Sequence, residues 1–182
     1  MSRIAIFIDG GYVQKMLSRD FGFASIDFAK LATLAAAGRD ILRTYYYDCL
    51  PYQSPAPTLE ERERFGKKQR FFSALDALSR FQVRQGRLEY RGLDSHGKPI
   101  FEQKRVDILL GVDLALLAAK HQITDVALVA GDSDFLPAIE AAKAEGVVVH
   151  LFHGTHAHRD LISACDERTV FTPDLINSVR RT

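Results

Sequence analysis

The sequence predicts an α/β fold: a twisted, mainly parallel sheet covered by helices on both faces. Three observations lead there. Apolar runs of strand length recur at Arg3–Ile8, Val126–Ala130 and Val147–Phe152, continuous rather than alternating, as in strands buried on both sides. Segments of helical spacing separate them. Two of the runs end in turn-forming clusters, Asp9-Gly10-Gly11 and Gly131-Asp132-Ser133-Asp134, where a strand gives way to a helix.

Taken in order, the first strand (3–8) is followed by helical spacing through Val13, Met16 and Leu17, and again from Ile26 to Ala37, where Gly38 stops it. Ile41–Leu50 reads as a second strand, suited by Tyr45, Tyr46 and Tyr47. The only Pro-rich stretch, Pro51–Pro57, is a loop into a charged helix over Leu59–Phe81, with Phe65, Phe71, Phe72, Leu75 and Leu78 as its inward positions. Val83–Arg91 reads as a strand, and Asp94–Gly97 as a turn before Pro99–Phe101. Val106–Lys120 is a strongly apolar helix. Strand 126–130 then turns into a helix that Gly146 ends, and strand 147–152 follows. Arg159–Cys165 fits one more helix, and Val170-Phe171 a short edge strand.

The 182 residues suit one domain, 1–182, and 47% hydrophobic residues with 12 Phe supply its core, which argues against disorder. The apolar runs are too short to span a bilayer, so no membrane partner is expected. The N-terminus enters a strand without a signal-like apolar region, and two distant cysteines suit a reducing compartment; the expected location is cytoplasmic. Net charge is +1, unevenly spread: residues 60–105 carry 12 Lys/Arg against 7 Asp/Glu, residues 106–182 six against 11. That asymmetry fits a polyanion-binding surface beside a cation-binding site, or two solvated faces of an ordinary domain. Neither Gly-x-Gly-x-x-Gly nor a Walker loop occurs, so a nucleotide cofactor has no motif behind it.

Open α/β sheets carry their sites at the carboxyl ends of the strands. Asp9 ends the first strand; Asp132 and Asp134 follow the 126–130 strand around Ser133. Helix capping accounts for one polar residue there, not three in a row. Asp107 and Asp113 sit in a helix that is apolar on nearly every side, which predicts burial. A carboxylate in such a place is protonated, paired or metal-bound. Asp107 has a first-turn capping alternative; Asp113, two turns in, has none. Converging carboxylates raise one another's pKa and call for a cation, and oxygen-only ligands suit Mg2+ or Mn2+. Such ions assist phosphoryl displacement. No Ser or Cys nucleophile stands beside a His.

The residues Phe7-Ile-Asp9-Gly, Lys104-Arg-Val-Asp107, Asp113 and Leu128-Val-Ala-Gly-Asp-Ser-Asp-Phe135 with Pro137 resemble the NYN domain, LabA-like branch, of the PIN-like nuclease superfamily. Tyr47-Asp48, Arg70-Phe-Phe with Leu75, and Leu161 with Cys165-Asp166 extend the likeness over nearly the whole chain. The resemblance implies a PIN-like three-layer fold and a metal-dependent ribonuclease. It implies Asp9, Asp107, Asp132 and Asp134 as catalytic metal ligands for Mg2+ or Mn2+, with Asp113 and Ser133 in support. RNA, single-stranded or structured, is the implied partner; the oligomeric state, monomer or homodimer, stays open. Two positions depart from the pattern: Tyr12 replaces a frequent Asn, and Arg105 replaces the Gly of Lys-Gly-Val-Asp.

Tyr12, Lys104 and Ser133 are the candidate substrate-binding residues, Lys104 for its place three residues before Asp107. The run Arg62, Arg64, Lys67, Lys68, Arg70 either tracks a phosphate backbone or forms a solvated face paired with Glu60, Glu61 and Glu63. Tyr45, Tyr46, Tyr47 and Tyr52 are core or edge residues or base-stacking surfaces. His150, His153, His156 and His158 lack zinc-ligand spacing and read as a loop at the edge of the site. Two rival functions remain: a non-catalytic RNA- or protein-binding module of the same fold, and a haloacid-dehalogenase-type phosphohydrolase. The latter needs an acid two residues after its nucleophilic Asp, where this chain has Gly11.

Overall fold

The first strand, β1 (Arg3–Asp9), buries every residue after Arg3. It alternates sides: Ile4, Ile6 and Ile8 join one apolar layer, Ala5 and Phe7 the other. The computed structural model describes residues 2–181; Met1 and Thr182, the ends of the expected 1–182 domain, lie outside the described residues.

From β1 the chain runs through α1 (Gly10–Asp20) and α2 (Phe28–Ala36) into β2 (Asp40–Asp48). Helix α2 begins at Phe28 rather than Ile26, because Asp27 caps it, accepting from Ala29 N and Lys30 N at 2.8 and 3.1 Å. A capping box between Thr58 and Glu61 starts α3 (Leu59–Asp76), which stops short of Phe81. The chain turns at Arg80, with φ of 62°, and Phe81 instead opens β3 (Phe81–Gln85).

The expected strand Val83–Arg91 is broken at Gly86. A Cβ there would lie 2.6 Å from the Lys104 carbonyl oxygen and 2.5 Å from Val106, so only glycine lets the chain leave the sheet at this point. Beyond it β4 (Arg87–Leu93) and β5 (Pro99–Lys104) form a separate antiparallel hairpin.

Helix α4 (Val106–Ala119) is a correction. Its apolar composition predicts burial all round, yet only Val106, Leu110, Leu114 and Ala118 are buried. Ile108, Val112 and Leu116 form a stripe 69, 50 and 49% exposed, because α4 packs on the sheet and on α5 with one face only. The chain continues through β6 (Asp125–Val129), a 3-10 turn (Ser133–Phe135), α5 (Leu136–Ala144), β7 (Val148–His153), α6 (Arg159–Ala164) and β8 (Glu167–Val170). A last helix, α7 (Pro173–Ser178), adds to the elements expected from the sequence, with Thr172 as cap and Pro173 in the first turn as its usual signature.

The six main strands are all parallel, in the order β3-β2-β1-β6-β7-β8. One apolar layer, under α1, α2, α3 and α7, centres on the isoleucines of β1 with Tyr46 and Phe72. The other, under α4, α5 and α6, centres on Phe7, Tyr47, Leu110 and Leu128. The α/β architecture with helices on both faces thus matches the expectation. Strand order reverses between β1 and β6, which opens a crevice at their carboxyl ends.

Candidate active site

Asp9 and Asp132 stand on the two sides of that crevice. Asp9 continues the Ala5–Phe7 side of β1, toward α4, and caps α1 by accepting from Tyr12 N at 3.0 Å. Asp132 follows β6 and caps the 3-10 turn, its Oδ1 accepting from Asp134 N at 3.1 Å. The cap in this segment is therefore Asp132, which leaves Asp134 and Ser133 free of that duty. Asp107 projects from the first turn of α4. Asp9, Asp107 and Asp132 line one cleft of about 420 Å3. Asp134 lies beside it, with Asp107, at the head of the groove between α4 and α5. Ser133 is half-buried in the same turn.

Charge at the cleft is strained in one direction. Burial pushes the Asp9 carboxyl up to about 6, against the lowering effect of the Tyr12 N–H, and Asp107 and Asp48 push the same way. Partial burial likewise raises Asp107, with Asp132 and Asp134 adding to it. Among the described residues none of these four carboxylates has a Lys or Arg within 4.0 Å, whereas Asp20, Asp40, Asp48, Asp113, Asp125 and Asp166 all do. Carboxylates without a close basic partner supply the oxygen ligands that suit a hard divalent cation. Among the described residues, however, no three His, Cys, Asp or Glu side chains are close enough to share one ion. With Asp132 turned to its capping contact, the acids surround the cleft rather than meet at a point.

The remaining candidates separate. Tyr12 lies across the floor: a Cβ on Gly131 would stand 2.1 Å from its ring, and its hydroxyl accepts from Gly154 N at 2.8 Å. It therefore ties the ends of β6 and β7 to α1 while lining the cleft. Lys104 does not line the cleft. It pairs with Glu102 on the hairpin, and alternation along β5 turns its neighbour Gln103 to the site instead. Asp113 has the partner its position demanded, but a structural one: Arg84 grips it at 2.9 and 3.0 Å and the Tyr47 hydroxyl donates at 2.9 Å. It binds α4 to β2 and β3.

Cations on the cleft come from elsewhere. Lys15 and Arg19, one turn apart on α1, line it with His156 and His158 of the β7–α6 loop. Arg19 is held by Asp20 at 2.8 Å; among the described residues Lys15 has no acidic partner within 4.0 Å. Helical spacing after Asp9 was the signal for the α1 pair. Of the basic run on α3, Lys68 turns inward to the buried Asp48 at 2.5 Å; sequence spacing cannot distinguish it from its solvated neighbours.

The unpaired acids stand at the switch point of a parallel α/β sheet, where folds of this class carry their sites, with cations on the rim. The chain belongs to the NYN domain family, which matches residues 3–173. NYN domains lie within the PIN-like nuclease superfamily. Among solved structures it is similar to a protein of unknown function from Vibrio parahaemolyticus, at 17% identity, covering 95% of this chain and 94% of that one with a TM-score of 0.69. That likeness concerns the fold. A second, Acinetobacter baumannii MurG, shares 13% identity over 96% of this chain and 43% of its own, with a TM-score of 0.43. No curated protein matches. Among the described residues no helix is long and apolar enough to cross a membrane.

Proposed function

We propose that this chain is a ribonuclease of the LabA-like NYN branch, hydrolysing RNA phosphodiester bonds at the cleft between β1 and β6. The observation that carries the reading is the set Asp9, Asp107, Asp132 and Asp134: four carboxylates around one crevice, Asp9 and Asp107 pushed up by burial and neighbouring acids, and among the described residues no Lys or Arg within 4.0 Å of any of them. These residues would hold Mg2+ or Mn2+, and the ion supplies Lewis acidity toward water and phosphate oxygens. Asp9 contributes the most desolvated ligand, oriented by the Tyr12 N–H. Lys15 offers an uncompensated ammonium to a phosphate at the rim, and Gln103 and the imidazoles of His156 and His158 offer polar contacts along the strand. Tyr12 keeps the cleft floor in shape.

Cleavage of a mixed RNA pool in Mg2+ or Mn2+, compared with EDTA, tests this. Asp132→Asn should abolish metal-dependent cleavage while the protein still melts as a folded domain; retained cleavage would refute the mechanism. The spacing of the acids, no three of which among the described residues are close enough to share one ion, favours a second reading, a non-catalytic RNA-binding module. Binding of the pool without cleavage in either metal supports that alternative.

A further inference from the structure

The hairpin β4–β5 carries an exposed aromatic cluster that neither the core nor the acidic cleft uses. Tyr90 and Phe101 face each other across the two strands, 46 and 40% exposed, with ring centroids 5.9 Å apart. Tyr52, from the Pro51–Pro57 loop, lies against both, at 5.9 Å from Tyr90 and 5.3 Å from Phe101. Opposed residues of an antiparallel pair share a face, and so do residues two apart on one strand. Leu88 and Gln103 are opposed, one step along from Tyr90 and Phe101. The aromatic pair and the cleft-lining Gln103 therefore occupy the same face, about 7 Å apart along the strand. That step is the length of one extended nucleotide.

The charge around this face is positive. The hairpin's ion pairs engage Arg91 and Lys104 with Glu89 and Glu102. Arg87 pairs across the strands with Lys104 on the opposite face, but among the described residues Lys98, just before β5, and Arg105, just after it, have no acidic partner within 4.0 Å. Arg105 sits at a φ of 74°, a left-handed conformation that costs a side-chain-bearing residue energy, immediately before the helix of Asp107. An aromatic surface rimmed by free cations and leading into an acidic cleft has the chemistry of a single-strand platform: rings for unpaired bases, cations for the backbone. A duplex offers no base faces to such rings.

We propose that Tyr90 and Phe101, backed by Tyr52, form a stacking platform for bases of single-stranded RNA whose next nucleotide enters the cleft past Gln103. The proposal rests on the ribonuclease reading for the identity of the strand. It is tested by fluorescence anisotropy in EDTA with a labelled single-stranded RNA of about ten nucleotides, within the span such surfaces cover. The same sequence as a duplex, and as a deoxyribose strand, provides the other arms.

Replacing both rings by aliphatic side chains, Tyr90→Leu with Phe101→Leu, should weaken single-strand binding about tenfold and leave the weaker duplex binding unchanged. The ring-preserving exchange Tyr90→Phe with Phe101→Tyr should hold affinity within about twofold of wild type. If the double leucine variant fails to fold, Tyr90→Leu alone carries the same test. Unchanged single-strand affinity, equal losses for strand and duplex, or no preference for the strand in the wild type overturns the platform. Tighter binding of the deoxyribose strand overturns the assignment to RNA. Cleavage by the wild type in Mn2+ with ring-independent binding removes the platform and leaves the nuclease. Ring-dependent binding without cleavage in either metal does the reverse.

Discussion

Asp9 and Asp48 end adjacent parallel strands and are both buried, at 9 and 3% exposure, yet the molecule treats them in opposite ways. Asp48 is saturated: Lys68 at 2.5 Å and the Tyr46 hydroxyl at 3.3 Å donate to one oxygen, and its own Cys49 N to the other at 2.8 Å. Asp9 has a single backbone donor and, among the described residues, no Lys or Arg within 4.0 Å; the charges of Asp107 and Asp48 act against it, and the more distant Lys15 only partly offsets them. A buried carboxylate with its counter-ion built in is structural. One left without a close counter-ion is the kind of group that a cationic ligand would neutralise.

The largest effects should come from exchanging those roles. Asp9→Asn keeps the helix cap, since Asn caps as well as Asp. It should lower RNA cleavage on the order of 100-fold or more through the lost ligand. In EDTA at pH 7 the same variant should melt higher, by about 1–2 kcal/mol, because the buried charge is gone. Lower stability of Asp9→Asn would show that Asp9 is structural after all. Lys68→Met makes Asp48 resemble Asp9: it strands a buried charge and should cost about 3 kcal/mol in urea unfolding, with little change in metal affinity.

Gly131→Ala should destabilise by about 1–3 kcal/mol, because the new methyl group meets the Tyr12 ring. In the double variant with Tyr12→Ala the clash is gone, and a thermodynamic cycle should recover most of that loss. The pH dependence has a definite sign. The folded pKa of Asp9, about 6, lies above its ordinary 3.8. Its contribution to the metal-free fold is therefore fully present below pH 3.8 and lost as the pH rises through 6. Metal binding runs the other way, because the ion competes with the proton. Calorimetric affinity for Mn2+ should fall about tenfold per unit below pH 6, and that slope should vanish in Asp9→Asn. The smallest effect is expected at Arg105→Gly, which relieves the left-handed backbone and should gain about 1 kcal/mol. Its single-strand RNA affinity should drop if the free guanidinium meets the backbone.

Much of the fold was legible because continuous apolar runs and Asp/Gly turns are local signals. The strands of Phe7, Leu128 and Leu151, and the strand-end positions of Asp9 and Asp132, follow from them. The misreadings share one cause, packing that composition does not encode. Helix α4 is apolar around its circumference, yet the sheet and α5 cover one side, so Ile108, Val112 and Leu116 face out. Val83–Arg91 has strand composition throughout, but the approach of Lys104 and Val106 at Gly86 divides it. Lys104 looked closest to the site by sequence, and strand alternation gave that place to Gln103.

The amino-acid sequence by itself determined the α/β class, the parallel strands and which acids stand at strand ends, since hydrophobic period and turn residues act over a few neighbours. Only the tertiary structure decided which acids keep a counter-ion. Arg84 reaches Asp113 from 29 residues away and Lys68 reaches Asp48 from 20, while among the described residues no Lys or Arg comes within 4.0 Å of Asp9, Asp107, Asp132 or Asp134. Burial and pairing depend on what the folded chain brings alongside, and the separation of structural from chemical carboxylates arises there.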